Sequence, residues 1–188
     1  MLTLLLLATF SGSLPELRAE ATDGGSALVI RNTHPSQALT AYLVELVEYP
    51  GSSFAFSQDE LAQGGEPLGA GQQRRIPIQN MTVGAVGDYV KMRAALYADG
   101  SSAGPDDKVA QLRARRALLL STIREVLAHP AQLKAMLDAV PVSNSKLKRA
   151  APEVVDQVSR RALIADAMEM EPTRLLEKFR AREAALSK

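Results

Sequence analysis

The chain has no cysteine and no tryptophan among its 188 residues, and it has only four tyrosines and four phenylalanines. Without cysteine there is no disulfide framework, no thiolate zinc site and no thiol nucleophile. A net charge of +1 argues against a general nucleic-acid binder, because such proteins carry a large basic excess. The hydrophobic fraction of 46% is typical of a globular protein of one medium domain or two small ones.

The N-terminal segment predicts an export leader. Residues 2–10 form an apolar run that is too short to span a bilayer. Gly12 and Pro15 follow, and Ala19-Glu20-Ala21 places small residues at the two positions that a leader peptidase reads. The usual basic start is missing, because no Lys or Arg precedes the run. We predict a signal peptide over residues 1–21, cleavage after Ala21, and a periplasmic or extracellular location.

The next part of the chain predicts β-strands. Alternating or β-branched segments bounded by turn formers occur at residues 27–32, 39–49, 74–79 and 88–98. In the second of these, the face carrying Tyr42, Val44 and Leu46 is expected to point into the core. Pro77 cannot donate to a ladder, so its strand belongs at an edge or a bulge. Residues 51–72 predict a long loop with at most a short edge strand or a helical turn.

From residue 105 onward the pattern is helical. Pro105 and the two aspartates that follow are typical of a helix start. An apolar stripe then recurs at helical spacing and should cover the sheet: Val109, Leu112, Leu119, Leu120, Ile123 and Leu127. Leu118 lies on the opposite side, which indicates that a second element packs there.

Further helices are predicted over residues 131–140, from Pro152 and from Pro172, with a polar connector over residues 141–151. The helix from Pro152 should bury Val154, Val155, Val158, Ala162, Ala165 and Met168. The expected fold is α+β: a small antiparallel Ig-like β-sandwich or sheet covered by a long amphipathic helix, followed by C-terminal helices. The predicted domains are the sandwich with its packing helices (22–140) and a helical hairpin (141–188).

Four segments carry a resemblance to a known group of proteins. They are Asn32 at the end of the first strand, Leu39-Thr40-Ala41-Tyr42-Leu43-Val44, Pro67-Leu68-Gly69-Ala70-Gly71, and Ala95-Leu96-Tyr97-Ala98-Asp99-Gly100-Ser101. Over residues 27–127 the chain resembles short exported proteins of soil bacteria that join an Ig-like or β-sandwich portion to helices. The resemblance carries no catalytic residue with it, and residues 141–188 lie outside it.

The helical half is basic, with 16 Lys and Arg against 11 Asp and Glu from residue 105 onward. We take four arginines of the long helix as candidates for binding an anion or a partner: Arg113, Arg115, Arg116 and Arg124. Arg116 projects close to the middle of the apolar stripe, and an unpaired buried charge is costly. A structural ion pair with Asp99 or Asp88 is therefore the competing interpretation for this residue. A protein or an anionic envelope polymer is the expected partner, because aromatics that could stack on nucleic-acid bases are scarce.

Carboxylates near the start of the long helix allow two further interpretations. Asp99, Asp106 and Asp107 are candidate ligands for a hard cation such as Ca²⁺. Turn formation and helix capping account for the same residues without a metal, so we predict neither metal nor cofactor. The leading hypothesis is an exported, non-enzymatic binding or scaffolding module of the cell envelope or extracellular space. The alternatives are a hydrolase-like enzyme that uses carboxylates of residues 88–107, and a basic helical adaptor for anionic polymers.

Overall fold

Two antiparallel sheets and five α-helices make up the described part of the chain in this computed structural model. The structure describes residues 13–22, 25–47, 54–78, 89–142 and 151–187. The apolar run 2–10, Asp88 and most of the predicted connector lie outside these ranges.

The seven described strands form two sheets. One sheet contains β1 (Glu16–Thr22), β2 (Gly25–Arg31) and β5 (Gln73–Ile78), in that order. The other has the order β4 (Phe54–Asp59), β3 (Leu39–Leu46), β6 (Val90–Tyr97) and β7 (Ser102–Ala103). The first, second and fifth strands thus oppose the third and sixth, as in immunoglobulin-type sandwiches. The predicted fold class is confirmed.

The sandwich core lies between the sheets. Leu28 and Ile30 of β2 share one apolar cluster with Tyr42 and Val44 of β3. The face of β3 predicted to point inward is therefore the one that does so, with Leu46 partly buried beside it. Pro77 lies on β5, which is an edge strand of its sheet, as its missing N–H requires.

A β-bulge in β6 changes which of its side chains face this core. The register skips Arg93, because Leu43 pairs with Ala94 while the next residue of β3 pairs with Met92. An extra residue reverses the alternation beyond it. The sandwich side therefore takes Val90, Met92, Ala95 and Tyr97, and Ala94 and Leu96 turn to the outer face. The unbroken alternation expected over 88–98 is wrong after Met92.

Strand β1 occupies the last six residues of the predicted leader. It pairs with β2 along seven residues, and Leu14, Leu17 and Ala19 pack against the sandwich core. No strand was predicted here, because the small residues of the segment matched a cleavage motif. Cleavage after Ala21 stays a prediction, and it would remove all but the last residue of β1.

The helices begin where the prolines place them. Pro105 precedes α2 (Asp106–Ala128), and Pro152 and Pro172 begin α4 (Pro152–Met168) and α5 (Pro172–Leu186). A single helical turn, α1 (Glu60–Gln63), follows β4, and a 3-10 turn (Pro130–Gln132) leads into α3 (Leu133–Ala139). Within the described ranges, no helix has both the length and the hydropathy needed to cross a bilayer.

Helix α2 belongs to two apolar cores. Val109 and Leu112 pack on the outer face of β3 and β6. Leu119 and Ile123 instead join α3, α4 and α5 in a separate helical core. The expected packing of the whole stripe against the sheet is therefore correct only for the first turns. The last two helices pack on α2 of the same chain, and Leu118 faces α4 across a small cavity.

The buried face of α4 differs from the predicted one. Its buried residues are Val155, Leu163, Ile164 and Ala167, whereas Val158 is 60% exposed and Met168 is 44% exposed. The prediction followed the β-branched residues at the start of the helix, but the larger Leu163 and Ile164 determine which face is buried. On α5, Leu175 and Phe179 are buried.

Gly104 allows the chain to pass the bulge of β6 on its way into α2. Its φ is +115°, and a Cβ at this position would lie 2.3 Å from the Arg93 carbonyl oxygen. Gly100 provides a matched comparison, because its φ is +83° and a Cβ there would meet nothing within 4 Å.

We expect Gly104→Ala to lower the free energy of unfolding by about 3 kcal/mol, since it combines backbone strain with a clash against the backbone. Gly100→Ala should cost only the strain of a positive φ, about 1 kcal/mol. Urea denaturation of the two variants measures both effects. Equal losses of unfolding free energy in the two variants would show that the close approach of residue 104 to the Arg93 carbonyl does not affect stability.

Candidate anion site between the second and fourth helices

The four candidate arginines do not form one basic patch, because each already has an intramolecular partner. Arg113 donates from Nη2 to the Gly100 carbonyl (3.4 Å) and to Ser102 Oγ (3.3 Å). Arg124 Nε lies 2.8 Å from Glu183 Oε1 on α5. Successive residues of a helix point about 100° apart, so these side chains serve different neighbours.

Arg116 makes a structural ion pair, as one of the two interpretations expected. Its Nε donates to Asp59 Oδ2 at 2.6 Å, and its Nη2 donates to Thr40 Oγ1 at 2.9 Å. The predicted partner Asp99 is wrong, since the carboxylate comes from Asp59 and Asp99 lies in an exposed turn; the other predicted partner, Asp88, lies outside the described residues. Asp59 also accepts from the Ala62 N–H and so caps α1. Arg116 therefore fastens α2 to the edge of the second sheet.

Arg115 is the unusual member of the set. It is only 2% exposed, and its Nε donates to Asp156 Oδ1 of α4 at 2.5 Å. Its Nη1 and Nη2 atoms are buried without a hydrogen-bond partner in the structure. Leaving such donors unmatched costs free energy, because each has lost its hydration.

A cavity of about 240 Å³ lies beside this ion pair, between α2, the end of α3 and α4. Its apolar wall comes from Leu118 and the stretch from Ala139 to Pro141, and its polar wall comes from Asp156, Gln157 and Arg160. Arg160 donates from Nη2 to Glu125 Oε2 at 2.7 Å. Its Nε, like the two Arg115 atoms, is buried without a partner.

Arg161 holds the rim of the cavity in place. Its Nη1 donates to the carbonyls of Leu137 (2.8 Å) and Val140 (3.0 Å) at the end of α3. A cation at this position satisfies carbonyls that a helix end leaves free. The hydrogen-bonded network to which the lining residues Asp156 and Arg160 belong thus has three guanidinium groups against the two carboxylates of Glu125 and Asp156, a surplus of one positive charge.

The candidate cation ligands do not converge. Asp99 accepts from the Ser101 N–H (3.0 Å) and the Ser101 Oγ (2.6 Å), and these bonds lower the pKa of its carboxyl group. Asp106 and Asp107 are exposed in the first turn of α2 and make no side-chain cap there. Across the described ranges, no group of three or more acidic or histidine side chains is arranged to hold a metal ion.

Among the described residues, the most buried carboxyl group is one that the sequence analysis did not single out. Glu60 is 2% exposed and is paired with the Arg74 guanidinium. Burial raises the pKa of Glu60 even though Arg74 opposes the shift. Gly65 makes room for it, since a Cβ there would lie 2.3 Å from Glu60 Oε2. In the sequence, the signal for Glu60 is weak: it is a carboxylate that directly follows Asp59, the residue that caps α1.

No protein-family model matches the chain, and no curated protein and no solved structure is similar to it. The resemblance to exported proteins of soil bacteria therefore stays an expectation. The function has to be argued from the residues and geometry of the chain itself.

We expect Asp156→Asn to lower the free energy of unfolding by about 3 kcal/mol, because it leaves the buried Arg115 without a counter-charge. The control is the exposed ion pair that Arg124, also on α2, makes with Glu183. Glu183→Gln should lower the free energy of unfolding by less than about 1 kcal/mol. Adding Arg115→Met to Asp156→Asn should restore most of the loss, since the buried charge is then gone. Chemical denaturation checks all three variants, and a double variant as unstable as Asp156→Asn would contradict this account.

A second prediction concerns pH. A carboxyl group whose pKa is higher in the folded chain stabilises the fold while it is protonated, and this contribution is lost as the pH rises through the raised pKa. We therefore expect the stability of the wild type, relative to Glu60→Gln, to fall as the pH rises above the usual glutamate pKa of 4.5. Urea denaturation between pH 4 and 8 measures the difference. The exposed Glu66 gives the control Glu66→Gln, and a pH-independent difference for Glu60→Gln would contradict the prediction.

Proposed function

We propose that the chain is an exported, non-enzymatic binding module that takes a small carboxylate into the cavity between α2 and α4. One observation carries the proposal: Arg160 Nε, on the polar wall of this cavity, is buried without an acceptor, and so are Nη1 and Nη2 of Arg115, which pairs with the lining residue Asp156. A ligand that brings acceptor oxygens would satisfy donors that the folded chain leaves unmatched.

The charge balance favours an anion over a neutral acceptor. Arg160 and Asp156 line the cavity, and their hydrogen-bonded partners bring the network to three guanidinium groups and two carboxylates, so a monoanion would make it neutral. Arginine pairs with a carboxylate through two parallel hydrogen bonds, which adds geometric selectivity to the attraction of opposite charges.

The size and lining of the cavity limit the rest of the ligand. At about 30 Å³ per water-sized group, a volume of about 240 Å³ holds roughly eight non-hydrogen atoms. The apolar wall of Leu118, Ala139, Val140 and Pro141 favours an alkyl group. A short aliphatic carboxylate such as hexanoate matches both requirements, and the carboxyl end of a peptide with an apolar last residue has the same chemistry.

The alternatives receive less support from the described residues. A hydrolase needs a carboxyl group of raised pKa in a concave site, whereas Asp99 is exposed and its pKa is lowered. An adaptor for anionic polymers needs free arginines on one face of α2, whereas Arg113, Arg116 and Arg124 have partners in different directions. Export is supported by the leader-like run at residues 2–10.

Calorimetric titration of the full chain with hexanoate tests the ligand. We expect a Kd below about 1 mM, and at least tenfold weaker binding for hexanamide, which keeps the chain but lacks the charge. An acetylated dipeptide with leucine at its carboxyl end separates the peptide source from the free acid. Absence of binding for both carboxylates, or equal affinity for hexanamide, would remove the proposal.

Two arginine variants localise the effect. Arg160→Met keeps the apolar stem but removes the donors, and it should weaken hexanoate binding at least tenfold. Arg113→Met alters an exposed arginine of α2 that does not line the cavity, and it should leave the affinity unchanged. The opposite order of effects would place the ligand elsewhere.

A further inference from the structure

The segment that follows Gly12 is an integral part of the sandwich. All seven residues of β1 pair with β2, and the backbone just before the strand is held as well. The Thr33 hydroxyl donates to the Leu14 carbonyl at 3.1 Å, and the Tyr97 hydroxyl donates to the Ser13 carbonyl at 2.8 Å. Contacts of this kind belong to a finished domain and not to a segment that is discarded.

Loss of this segment would leave several groups without partners. Strand β2 would become an edge with unpaired N–H and C=O groups, which templates aggregation. Tyr97 is 1% exposed, and burial raises its pKa to about 12, so its hydroxyl depends on an acceptor inside the protein. Leu14, Leu17 and Ala19 would no longer cover the sandwich core.

We infer that the leader is cut between residues 11 and 14, directly before β1, and not after Ala21. The inference rests on the export proposed above. Two bonds place small residues at the positions that a leader peptidase reads: Ser11–Gly12, preceded by Thr9, and Ser13–Leu14, preceded by Ser11. The hydrogen bond from Tyr97 to the Ser13 carbonyl favours the first, because it keeps Ser13 in the mature chain.

Both upstream bonds lie directly behind the apolar run, which ends at Phe10, whereas residues 11–21 separate that run from a cut after Ala21. The reaction is hydrolysis of one peptide bond by a membrane-bound leader peptidase. Water supplies the hydroxyl group of the new Ser11 carboxyl group and the hydrogen of the new Gly12 amine.

Expression of the full chain in a secreting bacterium, followed by intact mass and N-terminal peptide analysis of the exported product, tests the inference. We expect a mature protein that begins at Gly12 or at Leu14. A product that begins at Thr22 would overturn the inference and leave export intact. An uncut chain found only in the cytoplasm would overturn both this inference and the proposed export.

Two variants make the assignment independent of trimming by other proteases. Ser11→Arg combined with Ser13→Arg places a large residue before both upstream bonds, and it should cause the uncut precursor to accumulate. Ala21→Arg blocks a cut after residue 21, and Ala21 is exposed in β1, so the fold should tolerate the change. Its product should differ from wild type only by the mass of the substitution, and accumulation of precursor in this variant would overturn the inference.

A stability comparison supplies a readout that does not depend on the peptidase. A chain that begins at Gly12 should unfold at the temperature of the exported product. A chain that begins at Thr22 should melt at least about 10 °C lower or aggregate, because it has lost β1. Equal melting temperatures for the two chains would overturn the structural basis of the inference.

Discussion

The structure depends on the packing of the first turns of α2 against the outer face of β3 and β6. Val109 and Leu112 meet Ala41, Leu43, Ala94 and Leu96 there. Ala41 and Leu43 come from β3, and the bulge at Arg93 adds Ala94 and Leu96 to this face by turning them away from the sandwich. Gly104 allows the backbone to pass the bulge closely. The bulge therefore supplies the β6 part of the surface on which α2 lies, and α2 in turn packs against α4 and α5.

Charged side chains fix this placement more closely than apolar contact alone. Lys108 Nζ lies 2.7 Å from Glu45 Oε1 of β3, and Arg116 reaches Asp59 at the end of β4. On α5, Arg182 pairs with Asp166, lies over the Phe179 ring and packs on Gly64 after α1. Exposed ion pairs contribute little to stability, but pairs that are largely buried select one arrangement against others. A shifted helix would leave a buried charge without its partner.

The sequence predicted the elements well and their partners poorly. The proline-marked helix starts, the strand at residues 39–49 and the edge position of Pro77 follow from local chemistry, which periodicity and turn residues record. Three features depend on contacts between distant residues: the bulge at Arg93, the pairing of Arg115 with Asp156, and the use of β1 as a strand. Arg116 illustrates the difference. Its position in the apolar stripe predicted that it must pair, but only the tertiary fold supplies Asp59.

The candidate site combines a predicted residue with a geometry that the sequence does not record. Arg115 was one of four basic candidates, and nothing local distinguished it from Arg113 or Arg116. The structure does so, since Arg115 is buried with two unmatched donors while the others are satisfied or exposed. Replacing a buried ion pair by apolar residues is often neutral or stabilising. Stability alone therefore gives little reason for the Arg115–Asp156 pair and for the unmatched donor of Arg160 on the cavity wall, whereas the proposed binding of a carboxylate would account for the donors, the surplus positive charge and the aliphatic part of the wall together.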